Sequence, residues 1–265
     1  MGKIRIEINP EYKTNNAVLQ FVDGLPVSFV NGGVVLYDKR NVIKRFELDA
    51  NNDVLKETIV KRYKKPNIVQ RISYSFFRES KAKRAFNNAT KLRNNGINTP
   101  VEIAYVEHWQ CGLFCYGYYI SGSDNALPIR ERLVGLKDFD KVMAADFAAF
   151  AANLHEKGIL HHDLNSTNVL YHPVNNGHYE FSVIDINRMD FWQEETIPKE
   201  ICFDNLTRFT GRMDLYEYVL RQYVKVRAWD QSLVKEAVDI KMRHDEQWRK
   251  RKAFLRKLKF WKKKK

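Results

Sequence analysis

The sequence contains no long apolar run and few cysteines. No stretch approaches the roughly 20 apolar residues that a membrane-spanning helix needs, and the most apolar segment, residues 144–154, is interrupted by Asp146 and Asn153. That segment predicts a buried helix of a globular domain. The three cysteines are an odd number with no second pair near the first two. We therefore expect free thiols rather than disulfide bonds or a cysteine metal site.

The N-terminus lacks the pattern of a targeting segment. Charge begins at Lys3 and no apolar core follows, so we expect no secretory signal. Ile6 stands where a myristoylated chain carries Ser or Thr. Together with the unpaired cysteines, these features favour a cytoplasmic protein.

Acidic residues are missing from the last 17 positions, and this absence determines the net charge. The whole chain carries 45 Lys and Arg against 32 Asp and Glu, a formal charge of +13. Eleven of the cations lie between Arg249 and Lys265, and subtracting them leaves +2 for the first 248 residues. The basicity therefore belongs to the C-terminal tail and not to the body of the protein.

The tail, residues 248–265, interleaves these cations with large apolar side chains. Phe254, Leu258 and Trp261 fall on one face of a helix. Aromatic side chains can enter the headgroup region of a bilayer, and each cation near an anionic surface contributes on the order of 1 kcal/mol. We expect the tail to bind an anionic membrane surface. Nucleic acid, which attracts the same cations, is the weaker alternative because the aromatic face favours lipid, and a merely solvated tail is the third.

The order of strand and helix patterns divides the chain into two lobes. Short apolar runs separated by Asn and Asp turns predict antiparallel strands. They cover residues 33–37, 42–48, 54–63, 101–107 and 112–120. One long helix interrupts them, with Ser80 as its N-cap and Gly96 at its end. The sequence predicts a β-rich N-terminal lobe over residues 1–120.

After residue 120 the pattern becomes mainly helical. Helices are predicted between Asp138 or Asp140 and Gly158, over 206–226, and from Asp230 onward, with short strands over 169–171 and 179–186. The predicted fold is therefore α+β and two-lobed, of the protein-kinase-like type. Its helical lobe covers residues 121–247 and is followed by the tail.

Three residues in the second lobe carry the strongest chemical pattern. A turn after Gly158 presents Asp163, Asn168 follows five residues later, and Asp185 ends another apolar strand. Phosphoryl transfer needs a carboxylate that orients the attacking hydroxyl and accepts its proton, and it needs oxygen ligands for Mg²⁺ on the ATP phosphates. The sequence therefore predicts Asp163 as the catalytic base and Asn168 and Asp185 as Mg²⁺ ligands.

The same residues match the protein-kinase catalytic loop H-R-D-x-x-x-x-N, with His162 in place of the arginine. Asp185-Ile186-Asn187 stands where D-F-G would be. No A-P-E sequence follows, which argues against a peptide-docking platform. Two other interpretations of this region are a purely structural Asp and Asn, and a metal cluster built from its histidines. The spacing of those histidines fits no usual ligand set, and His161 is expected to be packed against the loop.

The nucleotide-binding side of the pattern is less regular. Lys61 follows two apolar residues within a predicted strand and resembles the lysine that contacts the α- and β-phosphates. Lys56, Arg62 and Lys64 are nearby alternatives.

A glycine-rich phosphate loop is lacking. The turn that contains Lys39 and Arg40 stands in its place, where side-chain charge would replace backbone amides. Glu79 is the nearest candidate for the glutamate that pairs with Lys61, since residues 82–92 contain no acid.

These departures make the chain resemble the lipopolysaccharide core kinases, the Kdo/heptose kinase group of the kinase-like superfamily. The resemblance spans roughly Val34 to Val226. It is carried by the catalytic loop, Val60 to Lys64, Arg78 to Arg84, Gly96 to Pro100, Ile184 to Arg188, and Asn205 to Phe209. It implies an ATP-dependent enzyme that phosphorylates a sugar hydroxyl of the inner core at the cytoplasmic membrane face. A small atypical Ser/Thr protein kinase and a pseudokinase scaffold are the alternatives.

Overall fold

A computed structural model describes residues 2–193 and 196–263 of the protein, with side chains described as far as residue 256. The chain divides into two compact units. The first comprises Met1–Asn125 together with Val183–Arg188, and the second comprises Ala126–Ser182 and Met189–Lys265. The first is β-rich and the second mainly helical, as the α+β prediction required. The finer division into residues 1–120, 121–247 and 248–265 stays a prediction.

The first unit is built on a six-stranded antiparallel sheet. Its strand order is β1-β5-β6-β4-β3-β2. In chain order its elements are β1 (Gly2–Ile8), α1 (Asn16–Asp23), α2 (Val27–Asn31), β2 (Val34–Asp38), β3 (Val42–Phe46), α3 (Asp53–Lys56), β4 (Thr58–Arg62), α4 (Ile68–Phe76), α5 (Lys81–Asn94), β5 (Glu102–Gln110) and β6 (Leu113–Gly122). The hairpin between β5 and β6 turns at Cys111 and Gly112, both of which have positive φ. This is the backbone geometry that a two-residue hairpin turn requires.

Both faces of this sheet are covered by helices. Helix α5 packs on β5 and β6 and buries an apolar stripe that includes Phe86 and Leu92. The hydroxyl of Ser80 caps it by accepting a hydrogen bond from Lys83 N at 3.2 Å. A second cluster of buried side chains joins α1 and α2 to the strands, with Phe29 and Tyr118 at its centre, their rings 5.2 Å apart.

One predicted strand begins later than expected. Residues 54–63 were predicted as extended, but α3 occupies the first part and β4 begins only at Thr58. The reason is a local cap, because the Asn52 side chain accepts hydrogen bonds from Val54 N and Leu55 N. An N-cap of this kind satisfies backbone donors that a strand would have paired elsewhere.

The second unit is mainly helical, with two small sheets. Its elements are β7 (Leu127–Pro128), α6 (Arg130–Leu133), α7 (Lys141–Glu156), β8 (Ile159–His161), β9 (Val169–Pro173), β10 (Tyr179–Val183, whose last residue belongs to the first unit), β11 (Met189–Phe191), α8 (Lys199–Leu206), α9 (Met213–Val226) and α10 (Leu233–Lys263). Helix α7 is capped by Asp140, whose carboxylate accepts from Met143 N at 3.0 Å. Among the described residues, no helix combines the length and the apolarity needed to cross a bilayer.

The predicted helix over 206–226 is confirmed from Met213 onward, but residues 207–212 form a turn after α8 ends at Leu206. The turn buries Phe209, whose ring stacks on Phe147 with centroids 4.3 Å apart. The carbonyl of Phe209 also accepts a hydrogen bond from Ser166 N at 3.2 Å. In a continuous helix, that carbonyl would accept a backbone hydrogen bond from the helix itself. The break therefore leaves the carbonyl available to support the loop that contains Ser166.

Gly158 ends α7 in a conformation that only glycine adopts easily. Its φ is +71°, and a Cβ there would lie 2.8 Å from the carbonyl oxygen of Trp192. We expect Gly158→Ala to lower the free energy of unfolding by about 2–4 kcal/mol, from left-handed strain and the clash together. Urea unfolding measures this loss.

Gly177→Ala is the matched control. Gly177 has φ +77°, but a Cβ there would meet no atom within 4 Å. It should cost only about 1 kcal/mol. Equal losses at the two positions would contradict the role assigned to the Trp192 contact.

Candidate active site

The loop around Asp163 folds back on itself within the second unit. It leaves β8 at His161, and Leu164 N donates to the His161 carbonyl at 3.1 Å. Asn168 Nδ2 donates to the Asp163 carbonyl at 2.9 Å, and Asn165 Nδ2 donates to Asp163 Oδ1 at 3.0 Å. Asp163 and Asn168 are therefore brought together, both half-buried, at the turn where the sequence predicts them.

The hydrogen bonds also fix the direction of each functional group. Because the Asn168 amide nitrogen donates a hydrogen bond to a backbone carbonyl, the amide oxygen of Asn168 is the atom that can bind a cation. Because Asn165 holds one carboxylate oxygen of Asp163, the second oxygen, Oδ2, remains for a substrate proton. The amide oxygen of Asn168 is thus suited to bind a hard cation, and Oδ2 of Asp163 is suited to accept a proton from a hydroxyl.

His161 lies beneath this loop and is fully buried. Its Nδ1 accepts a hydrogen bond from Asp163 N at 3.1 Å, which requires that nitrogen to be unprotonated. The prediction of a packed histidine that supports the loop is confirmed.

A chain of buried polar groups supports His161 from below. Asn205 Nδ2 donates to the His161 carbonyl at 3.0 Å, and Asn205 Oδ1 contacts His155 Nε2 at 3.1 Å. His155 Nδ1 in turn contacts the Tyr223 hydroxyl at 2.8 Å. Burial is the main cause that lowers the pKa of His155 to about 4; the charge of Arg227 also lowers it, and the hydrogen bond to Asn205 opposes the shift. His155 is therefore neutral and carries its proton on Nε2, the nitrogen that faces the acceptor oxygen of Asn205.

Sequence reasoning considered His155 only as a member of a metal cluster. The structure contradicts that alternative, because both ring nitrogens are engaged with Tyr223 and Asn205, and His162 Nε2 pairs with Asp190 at 2.6 Å. A sequence signal for its buried position was available. His155 lies eight residues after Phe147, on the same apolar helix stripe.

Lys61 and Asp185 form an ion pair in the first unit. Lys61 Nζ lies 2.5 Å from Asp185 Oδ1, and the Lys61 side chain is only 15% exposed. Asn187 Nδ2 also donates to Asp185 Oδ1 at 2.8 Å. The structure thus brings the strand lysine and the second acidic residue together, a pairing that the sequence did not predict.

Asp185 has a left-handed backbone, with φ +57°. Such a conformation costs a non-glycine residue energy and persists only where its surroundings impose it. Three contacts do so. Asn88 Nδ2 donates to the Ile186 carbonyl at 2.7 Å, Thr99 Oγ1 donates to the Val183 carbonyl at 2.8 Å, and Val183 N donates to the Asn98 carbonyl at 3.0 Å.

The expectation that Glu79 pairs with Lys61 is not met by the observed contacts. Glu79 forms an exposed ion pair with Lys83 at 3.0 Å and accepts from Asn87. Lys61 pairs with Asp185 instead. A part for Glu79 in nucleotide binding stays a prediction.

Cations gather beside Asp185 instead of a helix glutamate. Burial lowers the pKa of Lys81, the positive charges of Arg40, Arg188 and Arg84 lower it further, and Asp185 raises it. Arg40 of the predicted phosphate turn therefore belongs to one group of positive charges with the first turn of α5. Lys39, its exposed neighbour, donates its backbone N–H to the Asn41 carbonyl at 3.2 Å.

Comparison with known proteins tests the family resemblance. Residues 125–239 match the model of the lipopolysaccharide kinase (Kdo/WaaP) family. The match confirms the resemblance. It covers Asp163, Asn168 and Asp185 and supports a phosphotransferase of the lipopolysaccharide kinase type. No curated protein compared with this chain matches it.

Comparison with one solved structure confirms the kinase-like fold. The structure of WaaP in complex with acyl carrier protein shares 14% identity with this chain and covers 94% of it, with a TM-score of 0.57. The alignment includes 98% of the WaaP chain. WbdD, crystallised with the kinase inhibitor LY294002, shares 14% identity over 78% of this chain and 44% of its own, with a TM-score of 0.42.

The buried His155 predicts an acid-dependent loss of stability. Its pKa is held at about 4 against a usual 6.5, so between these values the unfolded chain binds a proton that the folded chain excludes. The contribution of neutral His155 to the free energy of unfolding is therefore fully present above pH 6.5 and is lost as the pH falls toward 4. We expect the stability advantage of wild type over His155→Gln to shrink by about 3 kcal/mol from pH 7 to pH 4. Urea unfolding at several pH values measures it, and a difference independent of pH would contradict the assignment.

Proposed function

We propose that this protein transfers the γ-phosphate of ATP to a sugar hydroxyl, Kdo or heptose, of the lipopolysaccharide inner core. The observation that carries the proposal is the Asp163–Asn168 loop. Its hydrogen bonds orient one carboxylate oxygen and one amide oxygen, and it lies within the segment matched to the lipopolysaccharide kinase family.

Asp163 acts as the base. Its Oδ2 accepts the proton of the sugar hydroxyl while the hydroxyl oxygen bonds to the γ-phosphorus. The bond from that phosphorus to the β–γ bridging oxygen breaks, and ADP leaves. Since most of the catalysis in such transfers comes from positioning and charge neutralisation, the fixed orientation of the carboxylate matters more than an unusual basicity.

Asn168 and Asp185 are the residues that would hold Mg²⁺, through an amide and a carboxylate oxygen. The bound ion would neutralise charge on the phosphates. Lys61 would contact the same phosphates, and its observed ion pair keeps its ammonium beside Asp185. Lys39 and Arg40 would cover the phosphates from the turn between β2 and β3, where side-chain charge replaces a glycine loop.

The acceptor is assigned to a lipid-borne sugar because of the family match and the basic tail. Helix α10 continues into the tail, and Phe254 on it is 62% exposed. Leu258 and Trp261 of the predicted lipid-binding face lie outside the residues whose side chains are described. We propose a cytoplasmic enzyme bound peripherally to the inner membrane. A protein substrate is less compatible with the missing A-P-E element, and a pseudokinase scaffold is less compatible with the oriented loop.

Replacing the base tests the proposal. Asp163→Asn should lower turnover about 10²–10⁴-fold, the usual contribution of a positioned base, while leaving Mg·ATP binding close to wild type. The assay supplies radiolabelled ATP to purified core glycolipids, beside a generic protein substrate. Thermal shift with Mg·ATP measures binding.

Asp190→Asn makes the same chemical change at an exposed carboxylate that pairs with His162. This control should stay within a few-fold of wild type. Near-normal turnover in Asp163→Asn would show that the base is wrongly assigned. Label in the protein substrate alone would favour the protein-kinase alternative, and no thermal response to Mg·ATP would favour the scaffold.

A further inference from the structure

Helix α4 turns its apolar side chains away from the protein. None of its nine residues is buried. The exposed fractions are 57% for Ile68, 71% for Val69, 42% for Ile72, 68% for Phe76 and 82% for the adjoining Phe77. At 3.6 residues per turn, the four helical members lie within an arc of about 100°. They and Phe77 form one apolar face, which we call the α4 face.

The outward direction of this face is fixed by the other side of the helix. Arg71 Nε donates to the Phe114 carbonyl at 2.9 Å, and its terminal nitrogen lies 3.2 Å from Cys115 Sγ. Phe114 N donates to Ser75 Oγ at 2.9 Å, and the Tyr74 and Phe114 rings are 5.5 Å apart. A surface helix normally buries its apolar stripe. Here polar and aromatic contacts attach the opposite side to β6, so the apolar stripe is left for a partner.

Positive charge predominates around the α4 face, and Glu79, the acid that follows Arg78, is paired with Lys83. From Thr58 to Arg78 the sequence contains six Lys or Arg residues and no acid. Lys64 and Lys65 precede the helix and Arg78 follows it, and all three are exposed. The complementary partner is therefore anionic as well as apolar, and the headgroup region of an anionic bilayer combines the two properties.

A hollow beside α4 adds a place for an anionic group. Its walls include Tyr63, Gln70 and Tyr74 with the two cations Lys64 and Lys81. Lys81 also belongs to the cation group near Asp185. A lipid phosphate at this position would meet two positive charges while acyl chains meet the α4 face.

We propose that the α4 face docks the first unit onto an anionic lipid surface. Phe76 and Phe77 enter the boundary between headgroups and acyl chains, and the flanking cations contact lipid phosphates. This contact is separate from the one proposed for the tail. It rests on the proposed function only in that a lipid-borne acceptor requires the enzyme at a membrane.

Vesicle binding by the full chain tests the proposal without turnover. The vesicles are phosphatidylcholine alone, or phosphatidylcholine with 30% phosphatidylglycerol, and co-sedimentation gives an apparent Kd. Phe76→Asp/Phe77→Asp should weaken binding to the anionic vesicles at least 10-fold. The matched control is Val27→Asp/Val30→Asp, which adds the same charge at α2 residues that are 64% and 66% exposed. It should change the Kd by less than about two-fold, because α2 lies outside the proposed contact and exposed charges away from that contact are screened.

Each alternative outcome has a distinct meaning. Binding of Phe76→Asp/Phe77→Asp within two-fold of wild type, or equal losses in both double variants, would overturn the proposal. A concentration-dependent dimer in light scattering that the α4 variant abolishes would assign the face to a second copy of the chain. Val69→Ser/Phe77→Ser, with no added charge, repeats the test if the aspartate variant fails to fold. Asp163→Asn should bind vesicles like wild type, so loss of the proposed kinase activity and loss of docking are distinguishable.

Discussion

The hydrogen bond from the Asn168 amide to the Asp163 carbonyl is the constraint on which the candidate site depends. It closes the loop, sets the direction of the amide oxygen and holds the backbone that carries the carboxylate. The layers beneath it serve the same geometry, since Asn205 connects the His161 carbonyl to the neutral imidazole of His155. A buried polar chain of this kind is stable only when every member is satisfied, which explains why a histidine with a pKa near 4 is tolerated there.

The phosphate-binding role proposed for the first unit would depend on clustered cations rather than on a helix glutamate. Helix α5 has no acid, and Lys61 pairs directly with Asp185. The positive charges of Arg40 and Arg188 act on Lys81, which also interacts with Asp185. Like charges close together repel one another, so such a group is stabilised when an anion binds. The polyphosphate of a nucleotide is an anion of this kind, and it would compensate for the missing glycine loop.

Sequence alone predicted the features whose causes are local. The spacing of Asp163 and Asn168, the N-cap at Ser80 and the glycine at 158 depend on neighbours a few residues away, and each is found in the structure. The features that were missed depend on distant partners. The break after α8 exists because Phe209 packs on Phe147, and the pairing of Lys61 with Asp185 joins residues 124 positions apart. The outward face of α4 depends on Arg71 reaching β6.

The central proposal is that Asn168 and Asp185 together hold the metal of a bound nucleotide. Electron paramagnetic resonance with Mn²⁺ in place of Mg²⁺, titrated with a non-hydrolysable ATP analogue, measures this directly. The account predicts that Asn168→Ala and Asp185→Asn each weaken nucleotide-dependent Mn²⁺ binding at least 10-fold, whereas Ser166→Ala, from the same loop, does not. Unchanged Mn²⁺ binding in both metal-ligand variants would contradict it.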